Sequence, residues 1–167
     1  MGTSAFNLRN PAGPLDRALY SLFVGEPLEI PSAIESRDTH FAAFLAWDAR
    51  NTDTANIAAL ARALFARGVA YVCAWGPGCE RVHDIFDEVE LELEGQRPPE
   101  SVVMTTWHND ESLEEALWFF VYSSYPDPAY EHSCTTGIAA VIGREDWAIR
   151  VDAYLSDLNS LKAEVGL

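Results

Sequence analysis

The sequence predicts an α/β fold: three layers, α-β-α, built on a short, mainly parallel sheet of about four strands in a Rossmann-like or flavodoxin-like arrangement. Three observations predict it. Short apolar runs alternate four times with stretches of helical spacing. The runs are nearly continuous in apolar residues, as strands covered on both faces require. A chain of 167 residues, 49% hydrophobic and 22% charged, has the size and composition to bury one sizeable core.

The first forty residues are the least regular. Leu15, Ala18, Leu19, Leu22 and Phe23 fall on one face of a short helix, and Pro27 and Pro31 call for an extended connection. Residues 1–40 are therefore expected as a helix and an extended segment packed on an α/β domain of residues 41–167. Phe41 to Trp47 reads as the first buried strand. Ile57, Leu60, Ala61, Leu64 and Phe65 then mark a helix that Gly68 stops. Val69 to Trp75 is the second strand, closed by Gly76-Pro77-Gly78, and Val82, Ile85, Phe86 and Val89 mark the second helix. Its continuation, Val89 to Glu94, alternates apolar and acidic residues and fits either an exposed edge strand or a frayed helix end. Ser101 to Trp107 is the third strand. Ser112 with Glu115 forms a capping box opening the third helix, which carries Leu113, Ala116, Leu117, Phe120 and Val121. A long loop, Ser124 to Ser133, precedes the fourth strand, Thr136 to Ile142. Trp147, Val151, Tyr154, Leu155 and Leu158 define one long last helix.

Charge narrows the function classes. Acids outnumber bases 26 to 11, for a formal net charge of -15. From Glu80 to Glu115 the only bases are Arg81 and Arg97, so most of the excess lies in that stretch. Such a field repels nucleic-acid phosphates and anionic membranes and attracts basic partners, although it also serves plain solubility. Three cysteines, Cys73, Cys79 and Cys134, are no disulfide framework. No signal peptide and no bilayer-length apolar run is present, so a cytoplasmic protein is expected.

Ligands of open α/β sheets bind beyond the carboxyl ends of the strands, and that rule selects the candidate residues. Cys79 follows a strand and two glycines, Gly76 and Gly78. A thiol at a helix start is a candidate nucleophile, and a packed small residue is the plainer alternative. His108, beside Asp110 and Glu111, is a candidate acid/base; Asp48 and Asp110 complete the catalytic candidates, with helix capping the alternative for Asp110. Arg50, Arg81 and Arg144 each fall past a different strand and are candidate clamps for a small anionic ligand, with Thr106 beside them; pairing with surface acids is the alternative. Cys79, His83 and His108 are residue types that zinc accepts, but no CxxC or HExxH spacing supports them, so no metal or cofactor is expected.

Trp75-Gly76-Pro77-Gly78-Cys79-Glu80, His83-Asp84, Thr105-Thr106-Trp107-His108 and Glu115-Ala116-Leu117-Trp118 resemble motifs of a family of short uncharacterised bacterial proteins classed as a domain of unknown function. The likeness spans roughly Phe41 to Tyr154. It implies a bacterial source and adds no activity, ligand or mechanism. Two functions are therefore carried forward. The first is a non-catalytic interaction or accessory module that offers its acidic surface to a basic protein partner. The second is an enzyme or sensor for a small anionic ligand at the strand ends. Strand order and oligomeric state are not written in the sequence.

Overall fold

The computed structural model describes residues 5–34, 40–96 and 101–167. Its centre is a six-stranded sheet of β1 (Ala5–Gly13), β2 (Arg17–Val24), β3 (His40–Trp47), β4 (Val69–Trp75), β5 (Met104–His108) and β6 (Cys134–Ile142), in the order β1-β2-β6-β3-β4-β5. β2, β6, β3, β4 and β5 run parallel, and β1 closes a hairpin antiparallel to β2. The last strand is thus inserted between the first two parallel ones. That order differs from both common doubly wound arrangements.

Helices cover both faces. α1 (Ile30–Ala33), α2 (Thr54–Arg67) and α3 (Cys79–Leu93) pack on one face; α4 (Leu113–Ser123), α5 (Glu145–Ser156) and α6 (Leu158–Glu164) pack on the other. Strand alternation builds both cores from the same residues' neighbours: Phe41, Ala43, Leu45 and Trp47 of β3 face α2 and α3, whereas Ala42, Phe44 and Ala46 face α4 and α5. Each helix end follows local chemistry. Asp53 caps α2, Gly68 ends it at φ 95°, and Ser112 and Glu115 form the expected capping box of α4. No helix among the described residues is long and apolar enough to cross a membrane.

Three sequence expectations are corrected. The sheet has six strands rather than about four, because the first residues form strands rather than a helix. Leu19 and Leu22 satisfy helical spacing, yet they point to opposite faces of β2, whose apolar run is broken by Arg17 and Ser21 and so lacks the continuity that marks the other buried strands. The segment after it is not extended: Pro27–Glu29 form a 3-10 turn leading into α1, with proline in the first turn of each. The last helix is two, since Asp157 ends α5 and its carboxylate accepts from the backbone N–H groups of Asn159 and Ser160 to start α6. Val89–Leu93 belongs to α3, and the long loop before β6 holds a 3-10 turn whose Tyr130 is buried against His40.

One polar contact ties the added strands to the rest. Arg17 at the start of β2 is 2% exposed, and no carboxylate pairs with it among the described residues. Its two terminal nitrogens donate to the hydroxyl and carbonyl of Ser124 at 2.7 Å each, at the C-terminus of α4. The negative end of the helix dipole stands in for a counter-charge. Gly137 on the neighbouring β6 leaves the room, since a Cβ there would lie 2.9 Å from Leu19 and 3.2 Å from Phe120. Arg17→Ala is expected to lower stability by roughly 3 kcal/mol, from a cavity and an uncapped buried helix end. Urea unfolding measures it; a loss below about 0.5 kcal/mol, the size of an ordinary surface substitution, would show the contact to be dispensable.

Candidate functional site

The strand-end residues selected from the sequence occupy three adjoining places. The first is a crevice. The loops leaving β2 and β3 turn toward α1 and α2, while the loop leaving β6 turns to α5 on the opposite face. Diverging connections open a gap at such a point. Here it has a volume of about 230 Å³, bordered by Glu26 and Pro27 after β2, Asp48 and Thr52 after β3, and Gly143 and Arg144 after β6. Asp48 and Arg144 border this crevice and Arg50 joins them through Asp48, but the arginines are not free. Arg50 grips Asp48 with two bonds of 2.9 and 2.7 Å, and Arg144 grips Asp146 with bonds of 2.9 and 2.7 Å while lying 4.2 Å over the Trp147 ring. The Arg50 fork holds the Asp48 carboxyl below its ordinary range, with Arg144 adding to the effect. Arg144 does the same to Asp146. The result is a balanced pair of forks rather than two open guanidinium clamps. Glu26, Pro27 and Thr52 were absent from the sequence candidates, and the signal for the first two was hidden by reading β2 as a helix.

The second place is the Trp75–Cys79 turn. Gly76, at φ 111°, brings its α-carbon so close to β3 that a Cβ would stand 2.3 Å from the Trp47 carbonyl oxygen. Gly78, at φ 83°, would meet the Arg50 and Ala49 backbone at 3.3 and 3.4 Å, and the Ala49 N–H donates to the Pro77 carbonyl at 2.9 Å. The space left by the two glycines is therefore filled by the chain's own backbone. Cys79 begins α3, yet its thiol is 3% exposed and belongs to the core beneath α2 and α3. Burial pushes its pKa up, against the pull of nearby backbone N–H groups, which is the opposite of activation. Arg81 donates to the Ala49 carbonyl and the Thr54 hydroxyl, both at 3.2 Å, pinning α3 to the loop after β3.

The third place is the end of β5. His108 is 5% exposed and sits against Phe119 of α4. Its Nδ1 lies 3.1 Å from the Glu111 carboxylate and its Nε2 3.0 Å from the Thr106 hydroxyl. Glu111, not Asp110, is thus the carboxylate that orients the ring; Asp110 instead occupies a left-handed turn position at φ 59°. Thr106 and His108 share the α4 face of β5. Thr105 and Trp107 share the α3 face, where Thr105 bonds Asp87 and the Trp107 ring lies 4.4 Å from the His83 ring. The Cys79 thiol meets the His108 backbone N–H, but the His108 ring packs on the opposite face of the sheet, so thiol and imidazole do not face each other. His83 is taken by Asp84 and Asp87, at 3.0 and 3.3 Å, and does not join Cys79. No group of three metal-ligating side chains forms among the described residues.

The acidic stretch divides in two. Arg97 and Glu100 lie outside the described residues. Beyond them the acids have structural posts: Glu111 on His108, Glu114 on Arg150 and Tyr154, and Glu115 in the α4 capping box. On α3 the acids face outward. Glu80, Asp84, Glu88 and Glu92 recur at every fourth position and are exposed, with Leu91 among them. Among the described residues Arg62 reaches this row, 3.0 Å from Glu92, and His83 meets Asp84.

The buried thiols give a direct check. Burial raises Cys73 to about 12 and raises Cys79 as well, and Cys134 is buried. Iodoacetamide at pH 8 is expected to label none of the three in the folded protein and all three in guanidinium chloride. Selective labelling of Cys79 in the folded state, followed by mass spectrometry, would restore it as a nucleophile.

No curated protein and no solved structure matches the chain. A family model described as a domain of unknown function, DUF7684, matches residues 21–157, from within β2 to the end of α5. That span takes in the crevice, the glycine turn, the end of β5 and the acidic helix, and on this match the chain belongs to the DUF7684 family.

Proposed function

We propose that the protein is an interaction module whose outer α3 face receives a basic protein partner. The observation that carries this reading is a charge pattern that works against its own helix. Glu80, Asp84, Glu88 and Glu92 stand four apart, and like charges at that spacing destabilise a helix by roughly 0.2–0.5 kcal/mol per pair. The last turn of α3 carries no basic residue to meet the negative end of the helix dipole. Burial of Val82, Ile85, Phe86 and Val89 holds the helix in place regardless. Solubility asks only for net charge, which any surface arrangement provides. A row that costs its own helix stability has a better explanation in what it meets. On the same reading the protein works in the cytoplasm of a bacterium, and its field keeps nucleic acids and anionic membranes away.

A second reading keeps the small-ligand site, now as an enzyme or sensor pocket in the crevice between the ends of β2, β3 and β6. Its support is the divergence of the connecting loops at that point. Its weakness is that an anion must first displace Asp48 or Asp146 from a two-bond fork.

Two measurements separate these readings. Immobilised protein is expected to retain a basic protein from the native host and to release it as salt rises from about 50 mM to about 500 mM, where charge attraction is screened within a few ångströms. A Glu80→Gln/Asp84→Asn/Glu88→Gln variant is expected to lose that protein while keeping its fold. Equal retention by the variant overturns the reading. Millimolar inorganic phosphate is expected to leave the melting temperature unchanged; a rise that Arg144→Gln abolishes would move the function to the crevice.

A further inference from the structure

The sheet has two edges, and among the described residues they are protected differently. Exposed edge strands are templates for pairing with foreign chains, and natural proteins blunt them with proline, charge and bulges. β1 has all three: Pro11, Arg9 and register breaks between Leu8 and Asn10 and between Asn10 and Gly13. β5 has none of them. It reads Met-Thr-Thr-Trp-His, pairs with β4 without a break, and has no second strand partner among the described residues. Apolar side chains are exposed along it: Val102 47%, Met104 40% and Trp107 44%.

We propose that the free edge of β5 takes up an extended segment of the basic partner as a seventh strand. This rests on the reading of α3 as the partner's surface and names the form in which the partner arrives. The two faces of β5 set the segment's pattern. On the α3 side, Thr105 and Trp107 lie beside Asp87, His83 and Asp84; the two carboxylates meet Thr105 and His83 yet remain exposed, and their charge favours lysine or arginine at every second position. On the α4 side, Met104 and the half-buried Phe119 present apolar surface, so the alternate positions are apolar. Backbone hydrogen bonds supply affinity in such strand addition, and alternate side chains supply choice. A second copy of this chain is disfavoured as the occupant, because pairing two β5 edges would bring two acidic α3 helices together on a chain of net charge -15.

The test uses the full chain and two short peptides of the same composition, one alternating lysine with valine and one with the lysines in a block. The alternating peptide is expected to bind at least about tenfold more tightly, which is about 1.4 kcal/mol. Backbone amides of Met104–His108 are expected to exchange more slowly in its presence. Met104→Lys, at an exposed position, is expected to abolish the preference. Should that variant unfold, the amide exchange of the unaltered protein decides alone. Equal binding of both peptides, weakened by salt and without protection of β5, overturns strand addition and leaves the acidic-surface reading intact. Binding of neither peptide at low salt overturns both. A dimer seen in sedimentation and lost in Met104→Lys would assign the edge to self-association and overturn the proposal.

Discussion

A buried guanidinium without a carboxylate would ordinarily cost several kcal/mol. Arg17 escapes much of that cost through its position. It meets α4 where the helix dipole is negative, and both bonds to Ser124 are 2.7 Å. Ser124 in turn donates to the Phe120 carbonyl, so the arginine stabilises carbonyls that the helix leaves unpaired. This one contact joins three elements distant in sequence. It fixes the start of β2, it fixes where α4 ends, and through the bare Gly137 it sets how closely β6 lies against both. β6 itself is held between β2 and β3 by parallel ladders on both sides, and the crevice lies where the connections that leave these three strands diverge.

The same sheet explains why the strand-end candidates do not form one constellation. Side chains on a strand alternate between faces, so residues adjacent in sequence can be separated by the full thickness of the sheet. His108 and Trp107 are neighbours, yet one packs on Phe119 of α4 and the other on His83 of α3. Cys79 is on the side of Trp107, and His108 turns away from it. Trp75 closes the remaining route: its indole N–H donates to the Glu111 carbonyl at 2.9 Å and its ring meets Trp147 edge-on at 4.8 Å. Aromatic bulk thus separates the β5 end from the crevice at β3 and β6.

Much of this fold was legible in the sequence, and the failures share a cause. β3, β4, β6, α2, α3 and α4 were readable because length, glycine stops and the Ser112–Glu115 box agree with the apolar pattern. β2 was not, because Arg17, Tyr20 and Ser21 interrupt the continuous apolar run that marks β3, β4 and β6, while Leu15, Ala18, Leu19, Leu22 and Phe23 happen to fit helical spacing. Missing β2 also concealed Glu26 and Pro27 at the crevice. At the site, residue types were legible and partnerships were not. Whether His108 turns to Glu111 or to Cys79 depends on strand parity at the face of the sheet. Whether Arg50 and Arg144 are open depends on carboxylates two residues away folding back on them. The glycines of the Trp75–Cys79 turn were correctly marked as special, but their reason is backbone approach to Trp47 rather than room for a ligand.

Edge and charge become intelligible together. A row of acids on α3 would be an ordinary solvated face if it lay over a closed part of the sheet. It lies on the helix beside β5 instead, and two other acids of that helix reach the strand and the residue before it: Asp87 bonds Thr105, and Glu90 accepts the Val103 N–H at 2.8 Å. The helix that anchors the strand is thus also the one that sets the surrounding field. That field discourages the commonest hazard of an open edge, pairing with an identical copy, because the copy carries the same charge. It places no such barrier before a segment of opposite sign. The acids can thus guard the edge against self-association as lysine or proline would elsewhere, while leaving it open to one chemical class of partner.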